Sequence, residues 1–281
     1  MLLLFLACAS PDPDTAITAD TGAPSCNGDP SYCARPFDQV AVVGTHNSMS
    51  SAQDDWLTPN QNLNILAQLE LGVRALNLDV YEEGGELLTC HVLCLLGSTP
   101  LSTTLAELRT WLDEHPNQVL SLTFESYITP EQMAASFETA GLAQLTFERD
   151  PNTPWPTLSD MIEADTRLVV WTDSGGEEKS WYADINQHVW ETNYAFSQVE
   201  DFDCSFRRGR EDQSYVILAH FLTSPFASEG LALQANTIEV LRTRAQECET
   251  IERRPNLVLV DFVDVGQVFD LVQELNQAWE G

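Results

Sequence analysis

The chain has 281 residues, 43% of them hydrophobic, enough to bury the core of one large globular domain or of two small ones. Thirteen basic residues against 43 acidic ones leave a formal charge of −30, and the one lysine is Lys179. That balance excludes nucleic acid as a partner, because phosphate backbones are held by Lys/Arg patches, and it repels anionic bilayers.

In chain order, Met1–Ala9 is apolar but too short to span a bilayer and lacks a basic leading segment. Phe5-Leu6-Ala7-Cys8 resembles a degenerate bacterial lipobox, whose cysteine would carry lipid. Residues 9–31, rich in Pro, Asp, Thr, Ala and Gly, read as a disordered acidic tether, and 32–281 as the domain. This order implies an exported protein, either a cell-envelope lipoprotein or secreted. With Cys8 set aside, six cysteines remain, an even number that suits disulfides in an exported chain. The expected pairing is Cys26–Cys33, Cys90–Cys94 and Cys204–Cys248. The Cys/His spacing matches no standard zinc signature.

From about residue 38, short apolar runs alternate with helical patterns. Strands are expected at Gln39–Val43, Ala75–Val80, Val119–Phe124, Arg167–Trp171, Tyr215–His220 and Leu257–Phe262, with weaker ones near Leu145 and Val189. Helices are expected at Asn62–Leu71, Thr104–Glu114, Pro130–Ala140, Leu158–Ala164, Leu231–Glu247 and Val265–Trp279. Alternating strands and helices imply a parallel sheet buried on both faces. Six firm and two weak strands suit an irregular (β/α)8 barrel; a doubly wound open sheet is the competing architecture, without a G-x-G-x-x-G turn to support it. There is no internal repeat and no transmembrane segment.

Barrel enzymes carry their chemistry at the C-terminal ends of strands. Polar groups stand at those positions here: His46 and Asn47, Asn77 and Asp79, His91, Glu125, Thr172 and Asp173, His220, and Asp261. His115 and His188 precede strands and read as surface or capping histidines. Two histidines can act as base and acid on a phosphodiester. Asn47, Asn77, Asp79 and Glu125 supply only oxygen ligands, which suit Ca²⁺ or Mg²⁺ and would neutralise charge on phosphoryl oxygens.

GTHNSMS at 44–50, LGVRALNLDV at 71–80, CH at 90–91, NQVLSLTFESY at 117–127, PWPTLSDMIEADTRLVVWTD at 154–173 and PNLVLVDF at 255–262 together resemble the X domain of phosphatidylinositol-specific phospholipase C. The likeness is greatest to X-domain-only, phospholipase C-like phosphodiesterases. It implies a single-domain distorted TIM (β/α)8 barrel that cleaves phosphatidylinositol-type lipids to diacylglycerol and a cyclic inositol phosphate at a membrane surface. It also implies that His46 is the first catalytic histidine, His91 the general acid toward the leaving oxygen, and Asp261 the support of His46. Asn47, Asn77, Asp79 and Glu125 match the calcium ligands of calcium-dependent members. An arginine stands at the Asp79 position in calcium-independent bacterial members, so Asp79 favours a metal. A glutamate is usual at the Asn77 position, so neutral Asn77 implies weaker calcium binding. Cleavage of glycerophosphodiesters or sphingomyelin, and a catalytically degenerate cell-surface binding module, are the alternative readings.

Overall fold

The computed structural model describes residues 25–250 and 253–279; the lipobox-like segment and residues 9–24 of the expected tether lie outside them. Residues 25–31 of that tether pack on the domain: Cys26 is buried in the core and disulfide-bonded to Cys33. The other two bonds, Cys90–Cys94 and Cys204–Cys248, follow the expected pairing.

Eleven strands form one curled sheet: β1 Val42–Thr45, β2 Ala75–Glu83, β3 Glu86–Cys90, β4 Ser98–Pro100, β5 Leu120–Ser126, β6 Leu168–Thr172, β7 Tyr182–Asp184, β8 Trp190–Thr192, β9 Phe206–Gly209, β10 Val216–Ala219 and β11 Leu257–Val260. Eight of them run parallel in the order β7-β6-β5-β2-β1-β11-β10-β8, and β9 adds antiparallel at the β8 end. The β3–β4 hairpin extends β2 above the barrel. The helices are α1 Ile65–Leu71, α2 Leu101–Glu114, α3 Pro130–Ala140, α4 Leu158–Glu163, α5 Ile185–His188, α6 Glu229–Ala235, α7 Ile238–Cys248 and α8 Val268–Ala278. The result is a single α/β domain with an incompletely closed barrel. Among the described residues β7 and β8 are not paired. Only residues 185–189 join them, far fewer than the dozen or so a parallel crossover needs, and β9 occupies the free edge of β8.

The strands form because they are apolar on both faces, and their period of two sorts side chains into two layers. Along β11, Leu257 and Leu259 belong to the inner cluster and Val258 and Val260 to the layer beneath the helices. On β2, Ala75 lies with the inner set while Leu76, Leu78 and Val80 meet the helices. Gly44 lies where β1 crosses this interior: a Cβ there would stand 2.4 Å from a Leu257 methyl and 3.1 Å from Ala75 Cβ. Helix ends follow local signals. Thr129 and Gln132 form a capping box, Pro130 opens α3, and left-handed Gly141 ends it.

Two expected elements differ. The strand near Leu145 is a 3-10 turn, Ala143–Leu145, and the eighth parallel strand is β7. The helix expected at Leu231–Glu247 is two helices. Buried Asn236 breaks it because its side-chain amide donates to Asp261 O at 3.0 Å and Val265 O at 3.1 Å. His188 is buried and held by Glu177 at 2.9 Å, whereas half-buried His115 caps α2 and stacks on Trp111, as a capping histidine should.

Candidate active site

The alternation that builds the core also aims the polar groups. Residues in phase with inward Ala75 are Asn77 and Asp79; in phase with Leu257 and Leu259 is Asp261; Glu125 stands level with Asp79 across the β2–β5 pair. His46 follows β1, its backbone N–H donating to Val260 O at 2.9 Å. His220 has the opposite phase from inward Ile217 and Ala219. It is fully buried outside the barrel, its ring tilted against Phe202, with Nε2 on Ala235 O at 2.9 Å. Burial, helped by Arg244, pushes its pKa down to about 3. Thr172 is likewise buried and satisfied by Ser174. The strand ends therefore converge on the mouth only where the phase is inward, and His220 and Thr172 are not part of the site.

His46 Nδ1 lies 2.9 Å from Asp261 Oδ1. Only the imidazole can supply the proton to a carboxylate, so Nδ1 carries it and Nε2 is left as a base. Asp261 is buried, and Asn60 Nδ2 donates to the same oxygen at 3.0 Å. Gln61 Nε2 bonds His46 O at 2.8 Å and Val260 O at 3.1 Å, locking the β1 end to the β11 end. Phe221 stacks on the His46 ring, centroids 3.9 Å apart. Asn60 and Gln61 carry no motif; their distance of 14 and 15 residues from His46 in the chain conceals this clamp.

His91 follows β3, half-buried, with Nε2 3.3 Å from Asn47 Nδ2. Burial pushes its pKa below the ordinary value, the charge of His46 adds to this, and Asp261 and Glu125 oppose it. Asn47, at φ +47°, donates its backbone N–H to Asn77 Oδ1 at 3.3 Å. Thr45 ends β1 and Ser48 lies in the turn after it: Ser48 Oγ donates to Thr45 O at 2.8 Å and accepts from Asn77 N at 3.0 Å.

Asp79 is buried with Oδ1 unpartnered. Burial, then Glu125 and Asp173, push its pKa up to about 8. Tyr127 donates its hydroxyl to Glu125. Among the described residues, no three or more His, Cys, Asp and Glu side chains are grouped to hold a metal. The donor set of Asp79, Glu125, Asn47 and Asn77 instead mixes carboxylates with amides. A buried carboxylate oxygen with free lone pairs, crowded by other carboxylates, fits a hard cation.

Sequence reasoning missed the cation inside the cavity. Arg208, on β9, lines the same pocket as His46, Asn77, Glu125, Glu191 and Tyr194. Its Nε donates to buried Glu191 on β8. Burial opposes its charge, but Glu191 outweighs that by charge and hydrogen bond, so its pKa is raised. An antiparallel strand outside the β/α alternation leaves no periodic signal that would have placed it.

The PI-PLC X family model (PI-PLC X 1) matches residues 32–276. "PI-PLC X domain-containing protein 1" of Arthroderma benhamiae is 28% identical over 274 residues, covering 89% of each chain. A second protein of that fungus, named an uncharacterized secreted protein, is 26% identical; the match covers 91% of this chain and 65% of that one. A solved phosphatidylinositol-specific phospholipase C from Staphylococcus aureus shares the fold at a TM-score of 0.60, with 15% identity over 88% of this chain and 94% of that one.

Proposed function

The chain belongs to the PI-PLC X family, and from that premise we propose that it is a phosphodiesterase of the phospholipase C type, cleaving phosphatidylinositol-type lipids. The observation that carries this reading is a pair of histidines: His46, backed by Asp261 at 2.9 Å, and His91, bonded to Asn47, the chain neighbour of His46. His46 Nε2 takes the proton of the inositol 2-hydroxyl as that oxygen attacks phosphorus. Asp261 holds the resulting imidazolium. His91 gives a proton to the departing diacylglycerol oxygen, and a cyclic inositol phosphate forms. Arg208 and Glu191, facing the cavity together, supply a donor and an acceptor for headgroup hydroxyls.

Asp79, Glu125, Asn47 and Asn77 are the proposed Ca²⁺ ligands, supported by the unpartnered Asp79 Oδ1. When bound, the ion would stabilise negative charge on the phosphoryl oxygens. Three disulfides suit an oxidising compartment, and among the described residues no helix is long and apolar enough to cross a membrane. We place the protein outside the cell, lipid-anchored through Cys8 or released.

Hydrolysis of a panel of phosphatidylinositol, sphingomyelin and glycerophosphodiesters, with product analysis, tests the assignment. Phosphatidylinositol should be turned over, and His46→Ala and His91→Ala should each lose ~10²-fold or more. Rates near the parent's in either variant refute the roles. Calcium should raise the melting temperature of the parent after chelation but not that of Asp79→Asn; an equal shift in both refutes the ligand set.

A further inference from the structure

His91 stands inside a covalent ring. Cys90 and Cys94, four residues apart, are bonded to each other and enclose His91, Val92 and Leu93. Cys90 is fully buried at the end of β3, which is paired with β2 on one side and β4 on the other. Inside the ring Val92 has φ +60°, a left-handed backbone that a β-branched side chain adopts only when its surroundings impose it. Packing does not impose it, since Val92 is 65% and Leu93 58% exposed. A tight turn completes the ring, Leu93 N–H donating to His91 O at 2.6 Å.

The far side of the ring is also anchored. Leu57 N–H donates to Leu96 O at 2.8 Å, and Gly97 lies so close on Trp56 that a Cβ would come within 2.3 Å of the indole. Among the described residues the imidazole itself has one side-chain hydrogen bond, to Asn47 at 3.3 Å. Its aim is therefore set by the backbone that carries it, and that backbone is strained and exposed.

We propose that the Cys90–Cys94 disulfide is a positioning element that holds His91 on the leaving oxygen. This rests on the reading of His91 as the general acid. Leaving groups separate such a role from general stability. An alkoxide needs a proton as it departs, whereas a nitrophenolate leaves without one.

Cys94→Ser cuts the bond and leaves the buried Cys90 sulfur in place; Cys90→Ala/Cys94→Ala is the second variant, and thermal melting measures the folded fraction of each. On an inositol phosphodiester with an alkyl leaving group, kcat should fall ~10- to ~100-fold with KM unchanged. On the nitrophenyl diester it should stay within about twofold, and His91→Ala should show the same contrast. An equal fall on both substrates, or no fall on either, overturns the proposal. Should the parent cleave neither substrate, the catalytic reading fails and the positioning role is judged by NMR. The nuclear Overhauser contact between the His91 ring and the Asn47 side-chain amide is expected in the parent and lost in Cys94→Ser. Its persistence in the variant overturns the role.

Discussion

His46 and His220 are both histidines at the C-terminal end of an apolar parallel strand, yet only one faces the candidate site. The difference is one residue of phase. His46 and Asp261 project into the mouth and meet at 2.9 Å; His220 projects under the helices, where its pKa is held at about 3. In the unfolded chain His220 would titrate near 6.5. Between those values the unfolded state binds the extra proton, so stability is full above pH 6.5 and falls as pH drops toward 3. His220→Gln, neutral throughout, should flatten that slope by up to ~1.4 kcal/mol per pH unit relative to the parent. Urea midpoints across pH 3–7 measure it, and parallel curves for the two proteins would contradict the burial account. The phase was legible in ALNLDV, where Asn77 and Asp79 take alternate places, and in LVLVDF, where Asp261 falls in step with Leu257 and Leu259. In YVILAH it was available too, but position at a strand end alone does not reveal it.

At the scale of elements, the β1, β2, β5, β6, β10 and β11 segments were legible because each is an apolar run buried on both faces. β7 and β9 were not, being three and four residues long with no pattern of their own. Under the proposed function, the loop after β3 is the element expected to meet the lipid. Leu95 is 93% exposed, Val92, Leu93 and Leu57 are each more than half exposed, and all adjoin His91 through the chain or the Leu57–Leu96 hydrogen bond. Burying one leucine in lipid contributes about 1.5–3 kcal/mol. Leu95→Asp should therefore weaken binding to zwitterionic vesicles by roughly tenfold or more while leaving cleavage of a soluble diester intact. Vesicle sedimentation checks the first expectation and a soluble-substrate assay the second; undiminished vesicle binding would remove the loop from the interface.

For the whole molecule, a formal charge of −30 means self-repulsion across the folded surface. The Debye length shrinks from about 30 Å at 0.01 M salt to about 10 Å at 0.1 M, so salt should stabilise. The melting temperature should rise with sodium chloride, by roughly 2–4 °C for each ~1 kcal/mol of repulsion relieved, and scanning calorimetry at several salt concentrations would show a flat or falling trend if the charges are already compensated. Sequence alone determined the alternation of strands and helices, the even cysteine set and the polar strand-end positions Asn77, Asp79, Glu125 and Asp261, because these are local properties, whereas the barrel over an open sheet and the disulfide pairs among their alternatives were decided in the folded chain. Only tertiary structure decided that Asn60 and Gln61 clamp the His46 end and that Arg208 enters the cavity from β9. Those outcomes depend on which strands become neighbours and on which edge is left open, and the short β7–β8 link settles that in space.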